Sequence, residues 1–141
     1  MLFRSDDLEK IHHQEALGVL VDLQEALTQA LFKEDTKEFF ESKQKSLFAR
    51  KFADLSKLLG TKEFLFNQIT FSDFKLFAQV HVYQKFVKKL GIEDHTKTFS
   101  NLQSHNARIA SLPGVKEYLS LESTKNRITM PKQMVKFDLD A

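Results

Sequence analysis

Glycine and proline, the residues that most tight turns require, are scarce in this chain of 141 residues. The chain holds only four glycines, which stand far apart at positions 18, 60, 91 and 114, and two prolines. An antiparallel sandwich or barrel needs many tight turns, so this scarcity argues against both architectures. Loops that hold phosphate groups through their backbone need clustered glycines, which excludes the glycine-rich nucleotide-binding motifs. The sequence therefore favours an all-α fold.

The composition narrows the class of protein further. With 42% hydrophobic and 28% charged residues, residues 1–141 are expected to form a single globular domain. The absence of cysteine excludes disulfides, zinc–thiolate sites, iron–sulfur clusters and cysteine nucleophiles. No apolar run approaches the roughly 20 residues of a membrane span, and the first residues do not resemble a signal or transit peptide. We therefore expect an intracellular, cytoplasmic protein without a membrane span.

Apolar residues recur at spacings of three and four over the first 60 residues, which predicts two long helices. The first is predicted over 5–32 and the second over 36–59, with Gly60 at the end of the second. A short turn joins them, so they should pack as an antiparallel hairpin. Gly18 costs the first helix about 1 kcal/mol relative to alanine, so we expect it to mark a close helix contact.

The second half of the chain predicts shorter helices and a tail. A helix begins at Thr70 and ends at Gly91, and Ser100 with Gln103 is expected to form a capping box at the start of the next helix. Pro113 suits the first turn of a further short helix. Residues 122–141 have no clear period and are predicted to form an irregular tail. The expected architecture is a bundle of five to six helices, and we interpret most of the fourteen phenylalanines as its core.

The helix that begins at Thr70 has the clearest start signal in the sequence. Thr70 suits the N-cap, and the carboxylate of Asp73 can accept a hydrogen bond from the Thr70 amide. Ile69 and Phe74 flank this box and are predicted to form a hydrophobic staple. Because the spacing is that of a cap, we interpret Asp73 as a structural residue and not as a catalytic acid.

The histidines do not form a metal-binding pattern. His12 and His13 are adjacent, so on a helix they point in different directions. His81, His95 and His105 fall on separate predicted elements. No nucleophile motif on a strained turn is present either. The sequence therefore predicts no catalytic residues, no metal site and no bound cofactor.

Charge is distributed unevenly along the chain. Residues 1–60 hold nine basic and eleven acidic residues, whereas residues 61–141 hold twelve basic and eight acidic ones. Basic residues near 85–89 and in the tail form a candidate docking surface for an acidic protein partner, with a plain solvated surface as the alternative. These residues are Lys85, Lys88, Lys89, Lys125, Arg127, Lys132 and Lys136. Nucleic acid is not expected, because exposed aromatics do not alternate with these basic residues.

Two segments together resemble one known family. Residues 69–74 read Ile-Thr-Phe-Ser-Asp-Phe, and residues 112–119 read Leu-Pro-Gly-Val-Lys-Glu-Tyr-Leu. They are similar to the all-helical C-terminal domain of cytosolic glutathione transferases, in which a Thr/Ser-x-x-Asp box opens the central helix. Residues 99–102 resemble the aromatic-Pro-Asn-Leu start of the next helix in that family, with serine in the place of proline. The resemblance implies a five- to six-helix bundle of this type.

The resemblance also indicates a class of glutathione transferase, and it points to a second domain of the complete enzyme that this sequence does not contain in recognisable form. The tail, through Arg127, Met134 and Phe137, is most similar to the mu class. In that class a tyrosine of the first helix lines the electrophile pocket, and the matching position here is Asp22. The thioredoxin-like domain of a complete transferase, which supplies the catalytic group and most glutathione contacts, is not recognised in this sequence. Glutathione is therefore expected as a ligand only if such a domain is present.

Three hypotheses about function follow. The first, which we prefer, is a non-catalytic interaction module that serves as a structural subunit of a larger protein assembly; a homodimer is compatible with it. The second is the C-terminal part of a glutathione transferase, which conjugates glutathione to electrophiles when joined to a thioredoxin-like domain. The third is an unrelated helical bundle whose caps match the family by chance.

Overall fold

A computed structural model describes residues 5–66 and 68–120. Over these ranges the chain is helical and contains no strand. The helices are α1 (Ser5–Leu31), α2 (Thr36–Lys43), α3 (Ala49–Leu59), α4 (Phe71–Leu90), α5 (Ser100–Ala110) and α6 (Pro113–Ser120). The predicted tail at 122–141 lies outside the described residues.

The predicted second helix is present, but it is not regular. A π-helical turn, Gln44–Phe48, follows α2 directly and leads into α3. The turn holds Gln44 on the buried side, where its Nε2 donates to the carbonyl oxygen of Glu93 at 2.9 Å. Its Oε1 accepts a hydrogen bond from the Tyr83 hydroxyl at 2.6 Å. Single π-helical turns inside α-helices are uncommon, and the apolar periodicity of the sequence did not indicate this one.

The core is a cluster of aromatic rings around Tyr83. Phe40, Phe48, Phe52 and Phe86 are fully buried with it, and the rings of Phe52 and Tyr83 meet edge to face with centroids 4.8 Å apart. Such pairs contribute about 0.5–1.5 kcal/mol beyond the area that they bury. Burial raises the pKa of Tyr83 to about 12, so its hydroxyl stays protonated and donates to Gln44. The interpretation of phenylalanine as core packing is confirmed for these four rings, but it is wrong for Phe32, Phe71 and Phe74, which are exposed.

The start of α5 differs from the prediction. Its N-cap is Phe99 without a side-chain cap, so the expected Ser100–Gln103 capping box is wrong. The side-chain Nε2 of Gln103 instead donates to the carbonyl oxygen of Thr96 at 3.0 Å. Asn101 ties this helix start to the end of α3, because its Nδ2 donates to the carbonyl oxygen of Gly60 at 3.0 Å.

Helix α1 packs against α3 and α4, but part of its apolar sequence faces outward. Leu8 and Ile11 belong to the periodic pattern and are nonetheless 47% and 50% exposed. Gly18 also lies on the exposed side, and a Cβ there would meet no atom within 4 Å. The prediction that Gly18 marks close packing is therefore wrong within the described part of the chain. None of the described helices combines the length and the apolar character that a membrane span requires.

Candidate functional site

The start of α4 is built around the buried carboxylate of Asp73, which is 0% exposed. Thr70 and Asp73 form a capping box, in which the amide of Thr70 donates to Oδ2 of Asp73 at 2.9 Å. The other carboxylate oxygen, Oδ1, accepts from the amide of Leu65 at 2.9 Å. Asp73 therefore fixes both the first turn of α4 and the connection that leads into it.

A buried histidine completes this arrangement. Nε2 of His105, on α5, lies 2.9 Å from Oδ1 of Asp73, and the side chain of His105 is only 1% exposed. Burial alone would raise the pKa of Asp73, but the hydrogen bonds from His105, Leu65 and Thr70 outweigh it and hold that pKa below its usual value. All these contacts are structural, so the geometry agrees with a cap and gives Asp73 no access to a substrate.

The side chains around the cap form an exposed apolar surface. Phe71 is 70% exposed, Phe74 41% and Ile69 37%. The predicted staple residues Ile69 and Phe74 thus both lie at the surface, and a contact between them stays a prediction. We call Phe71 and Phe74 the aromatic end of α4. Phe71 was not singled out from the sequence, although its position opposite the buried stripe of Leu76, Val80 and Tyr83 is a signal that would have found it.

The other end of the same helix is basic. Three of the predicted docking residues, Lys85, Lys88 and Lys89, lie within the last six residues of α4, and we call them the basic end. Lys88 and Lys89 are exposed, and Lys85 is half-buried. The distance along the axis from Phe71 to Lys89 is about 27 Å, from a rise of about 1.5 Å per residue. The remaining docking candidates, Lys125, Arg127, Lys132 and Lys136, lie outside the described residues.

The structure separates the remaining histidines. Nδ1 of His12 lies 3.6 Å from Glu15 at the surface of α1, while the ring of His13 packs on Phe66 with centroids 5.1 Å apart. Burial, and then the positive charge of Lys85, lower the pKa of His81. Among the described residues no group of three metal-ligating side chains comes together.

Asp22, which stands where the mu-class resemblance places a tyrosine, forms a surface ion pair. Its Oδ2 accepts from Nζ of Lys51, on α3, at 2.9 Å, and its side chain is 51% exposed. A carboxylate held in this way offers no phenolic hydroxyl to an electrophile.

Two open cavities lie at the surface of the described helices. The first, of about 780 Å³, lies between α1, α3 and the connection before α4, with Ala16, Val19 and Leu58 among its apolar lining and Lys57 among its polar lining. The second, of about 800 Å³, lies beside the basic end of α4 and includes Lys88, Glu93 and Asp94. Neither cavity contains the buried pair of Asp73 and His105.

Comparison with known proteins agrees with this architecture. The family model described as "Glutathione S-transferase, C-terminal domain" matches residues 21–122, which include the capping box and most of the helical bundle. No curated protein matched the chain. The assignment to the mu class stays a prediction. An all-α bundle with a Thr70–Asp73 capping box and a match over most of its length identifies this chain as a member of the glutathione S-transferase C-terminal domain family.

Proposed function

We propose that this domain is a non-catalytic interaction module, a structural subunit of a larger protein assembly, that binds an acidic protein surface through the outer face of α4. The observation that carries the proposal is the exposed aromatic end of α4, led by Phe71 at 70% exposure. Large apolar groups clustered at a surface are typical of binding sites. Aromatic residues are also enriched in the centre of protein interfaces.

The free energy of burying aromatic rings suggests that the aromatic end supplies most of the affinity for a partner. Burying an exposed phenylalanine contributes about 1.5–3 kcal/mol, so Phe71 and Phe74 together are expected to contribute a few kcal/mol to binding. The basic end acts differently, because charges at the rim mainly accelerate and orient the encounter with an acidic partner. The cytoplasmic location belongs to this proposal and is supported by family membership.

The test is to isolate the native protein from its own cells by size-exclusion chromatography and to identify co-eluting proteins by mass spectrometry. We expect a stoichiometric complex that is lost in the double variant Phe71→Ser/Phe74→Ser. The matched control is Phe32→Ser, which removes a 38% exposed ring at the end of α1. A native protein that elutes alone, or a complex that the double variant retains, would refute the proposal.

The second candidate function is the C-terminal part of a glutathione transferase, which conjugates glutathione to electrophiles when joined to a thioredoxin-like domain. Family membership and the exposed aromatic end favour it, because a second domain would also cover these rings. Glutathione would be bound mainly by the added domain. Calorimetry and a conjugation assay on the chain joined to such a domain test this candidate, and glutathione binding with conjugation would replace the first proposal.

A further inference from the structure

We propose that the segment bound by the outer face of α4 is an amphipathic helix of another protein, acidic in its first turns and apolar in its last turns, that lies antiparallel to α4. The inference rests on the proposed function, because it states what kind of segment binds the same face. Three features of α4 carry it: a straight row of exposed residues, a small residue at the middle of that row, and different chemistry at its two ends.

The exposed residues of α4 form one straight row. At about 100° per residue, they fall within about 100° of one another around the helix axis, whereas buried residues such as Leu76 and Val80 lie opposite. The partly exposed side chains of His81, Val82 and Lys85 continue the row between its two ends. Neighbours in the row are three or four residues apart, which is the spacing at which a second helix presents its own side chains. The exposed residues are Phe71, Phe74, Ala78, Lys88 and Lys89.

The middle of this row is small. Ala78 is exposed, and it lies about 10 Å from Phe71 and about 16 Å from Lys89 along the helix axis. Packed helices have axes about 8–10 Å apart, and the side chains at the contact set this distance. An exposed alanine between the longer side chains of Phe74 and Val82 therefore gives a partner helix a point of close approach.

The two ends of the row differ in chemistry. The aromatic end offers Phe71 and Phe74 to an apolar surface. The one acid of α4 is Asp73, which is buried in the cap, so the outer face has no negative charge. At the basic end Lys88 is exposed, and within the described part of the chain no carboxylate forms an ion pair with it. A partner that matches both ends needs apolar side chains at one end and carboxylates at the other.

The direction and the length of the partner helix follow from the same charges. Carboxylates stabilise the first turn of a helix, because the helix dipole is positive there. A partner helix with acidic first turns places them beside Lys88 only when it runs antiparallel to α4. The row is about 27 Å long, which corresponds to about 18 residues of a partner helix. Glu93 is exposed just beyond the basic end, and its charge disfavours an acidic segment that extends further.

The experiment measures the binding of three labelled synthetic peptides of about 18 residues to the full chain. The first peptide has glutamates on one face of its first two turns, alanine in the middle turn and leucines on the same face of its last two turns. The second peptide has the same residues in reverse order. The third has lysine in place of each glutamate. Fluorescence anisotropy measures the dissociation constants, and far-UV circular dichroism measures the helix gained on mixing.

Two substitutions in the chain, each with a matched control, test the contact points. Ala78→Gln adds bulk at the middle of the row, and its control Ala53→Gln adds the same bulk at an exposed alanine of α3. Lys88→Glu reverses a charge at the basic end, and its control Lys57→Glu reverses an exposed charge of α3. Circular dichroism of each variant alone verifies that it is folded.

We expect the first peptide to bind at micromolar concentration and to gain helix on binding. The reversed peptide should bind at least about threefold more weakly, and the lysine peptide at least about tenfold more weakly. Ala78→Gln should raise the dissociation constant of the first peptide at least about tenfold, whereas Ala53→Gln should leave it unchanged. Lys88→Glu should weaken the binding of the first peptide and strengthen that of the lysine peptide, and Lys57→Glu should change neither.

The inference is overturned if the first peptide does not bind, if the reversed or the lysine peptide binds as tightly, or if Ala78→Gln and Ala53→Gln have equal effects. The proposed function fails separately. If no peptide binds but Phe71→Ser/Phe74→Ser releases a native partner, the interaction module stands and the helical partner falls. If the first peptide binds as expected but the native protein elutes alone from its cells, the binding of an acidic helix stands and the larger assembly falls.

Discussion

Replacing Asp73 by asparagine is the most direct test of whether the capping box stabilises the fold. The carboxylate accepts hydrogen bonds from the amides of Leu65 and Thr70 and contacts Nε2 of His105, all at 2.9 Å. Asparagine has nearly the same shape, but one of its terminal atoms is a donor. At least one of the three groups that face Asp73 would then meet a donor in place of an acceptor.

The expected cost follows from these contacts. A hydrogen bond to a charged group contributes about 1.5–3 kcal/mol, and a buried donor left without an acceptor costs about 1–3 kcal/mol. We therefore expect Asp73→Asn to lower the free energy of unfolding by about 2–4 kcal/mol. Removing the carboxylate in Asp73→Ala leaves all three groups unpaired and should cost about 3–5 kcal/mol. Because a domain is typically stable by about 5–15 kcal/mol, the alanine variant should lose a large share of its stability.

The assay is urea unfolding followed by circular dichroism, with Asp22→Asn as the matched control. That control also removes a carboxylate from an ion pair, but at a 51% exposed site where pairs contribute about 0–1 kcal/mol. The pKa of Asp73 is lowered in the folded state, so its stabilisation is complete above pH 4 or so and is lost as the pH falls through the folded pKa. Equal costs for Asp73→Asn and Asp22→Asn, both below about 1 kcal/mol, would refute the reasoning.

Three further substitutions have defined outcomes. Tyr83→Phe should cost about 1–2 kcal/mol in urea unfolding, because it leaves Oε1 of Gln44 buried without its donor; a neutral effect would contradict the role of the π-helical turn. Folding lowers the pKa of His81, so the unfolded chain binds the proton first as the pH falls below about 7, and the wild type should lose stability there. The variant His81→Gln has no such group and should not show this loss. An unchanged dependence of stability on pH would show that His81 is not responsible. Gly18→Ala should stabilise the monomeric chain by about 1 kcal/mol, seen as a higher midpoint of urea unfolding. The reason is that position 18 is helical and that an added Cβ meets no atom within 4 Å. A destabilised variant would mean that the surroundings of Gly18 are more crowded than in this structure.

Features that depend on residues close in sequence could be predicted. The end of α4 at Gly91 and the start of α4 at Thr70 both rest on interactions within one or two turns. Gly91 has a φ of 68°, in the left-handed region that glycine adopts without a side-chain clash. The family resemblance was also carried by local segments, and the match over residues 21–122 agrees with it at the level of the fold.

Features that depend on residues distant in sequence could not be predicted. Nothing near His105 indicates that it would be buried against Asp73, which lies 32 positions earlier on another helix. The π-helical turn places Gln44 in hydrogen bonds with Tyr83 and Glu93, which come from the other half of the chain. The apolar periodicity of the sequence shows which face of a helix is apolar. It does not show how much of that face the neighbouring helices cover.

The sequence alone determined that the chain is all-helical, where α4 begins and that its last turns are basic, because helix propensity, caps and charge are properties of neighbouring residues. Only the tertiary structure decided which residues of the periodic apolar pattern stay at the surface, as Leu8, Ile11 and Phe74 do. Leu76 and Val80 are buried while Phe71 and Phe74 remain exposed on the same helix, since α1 and α5 pack against one side of α4. The candidate interaction face is thus the part of an apolar sequence that the fold leaves uncovered.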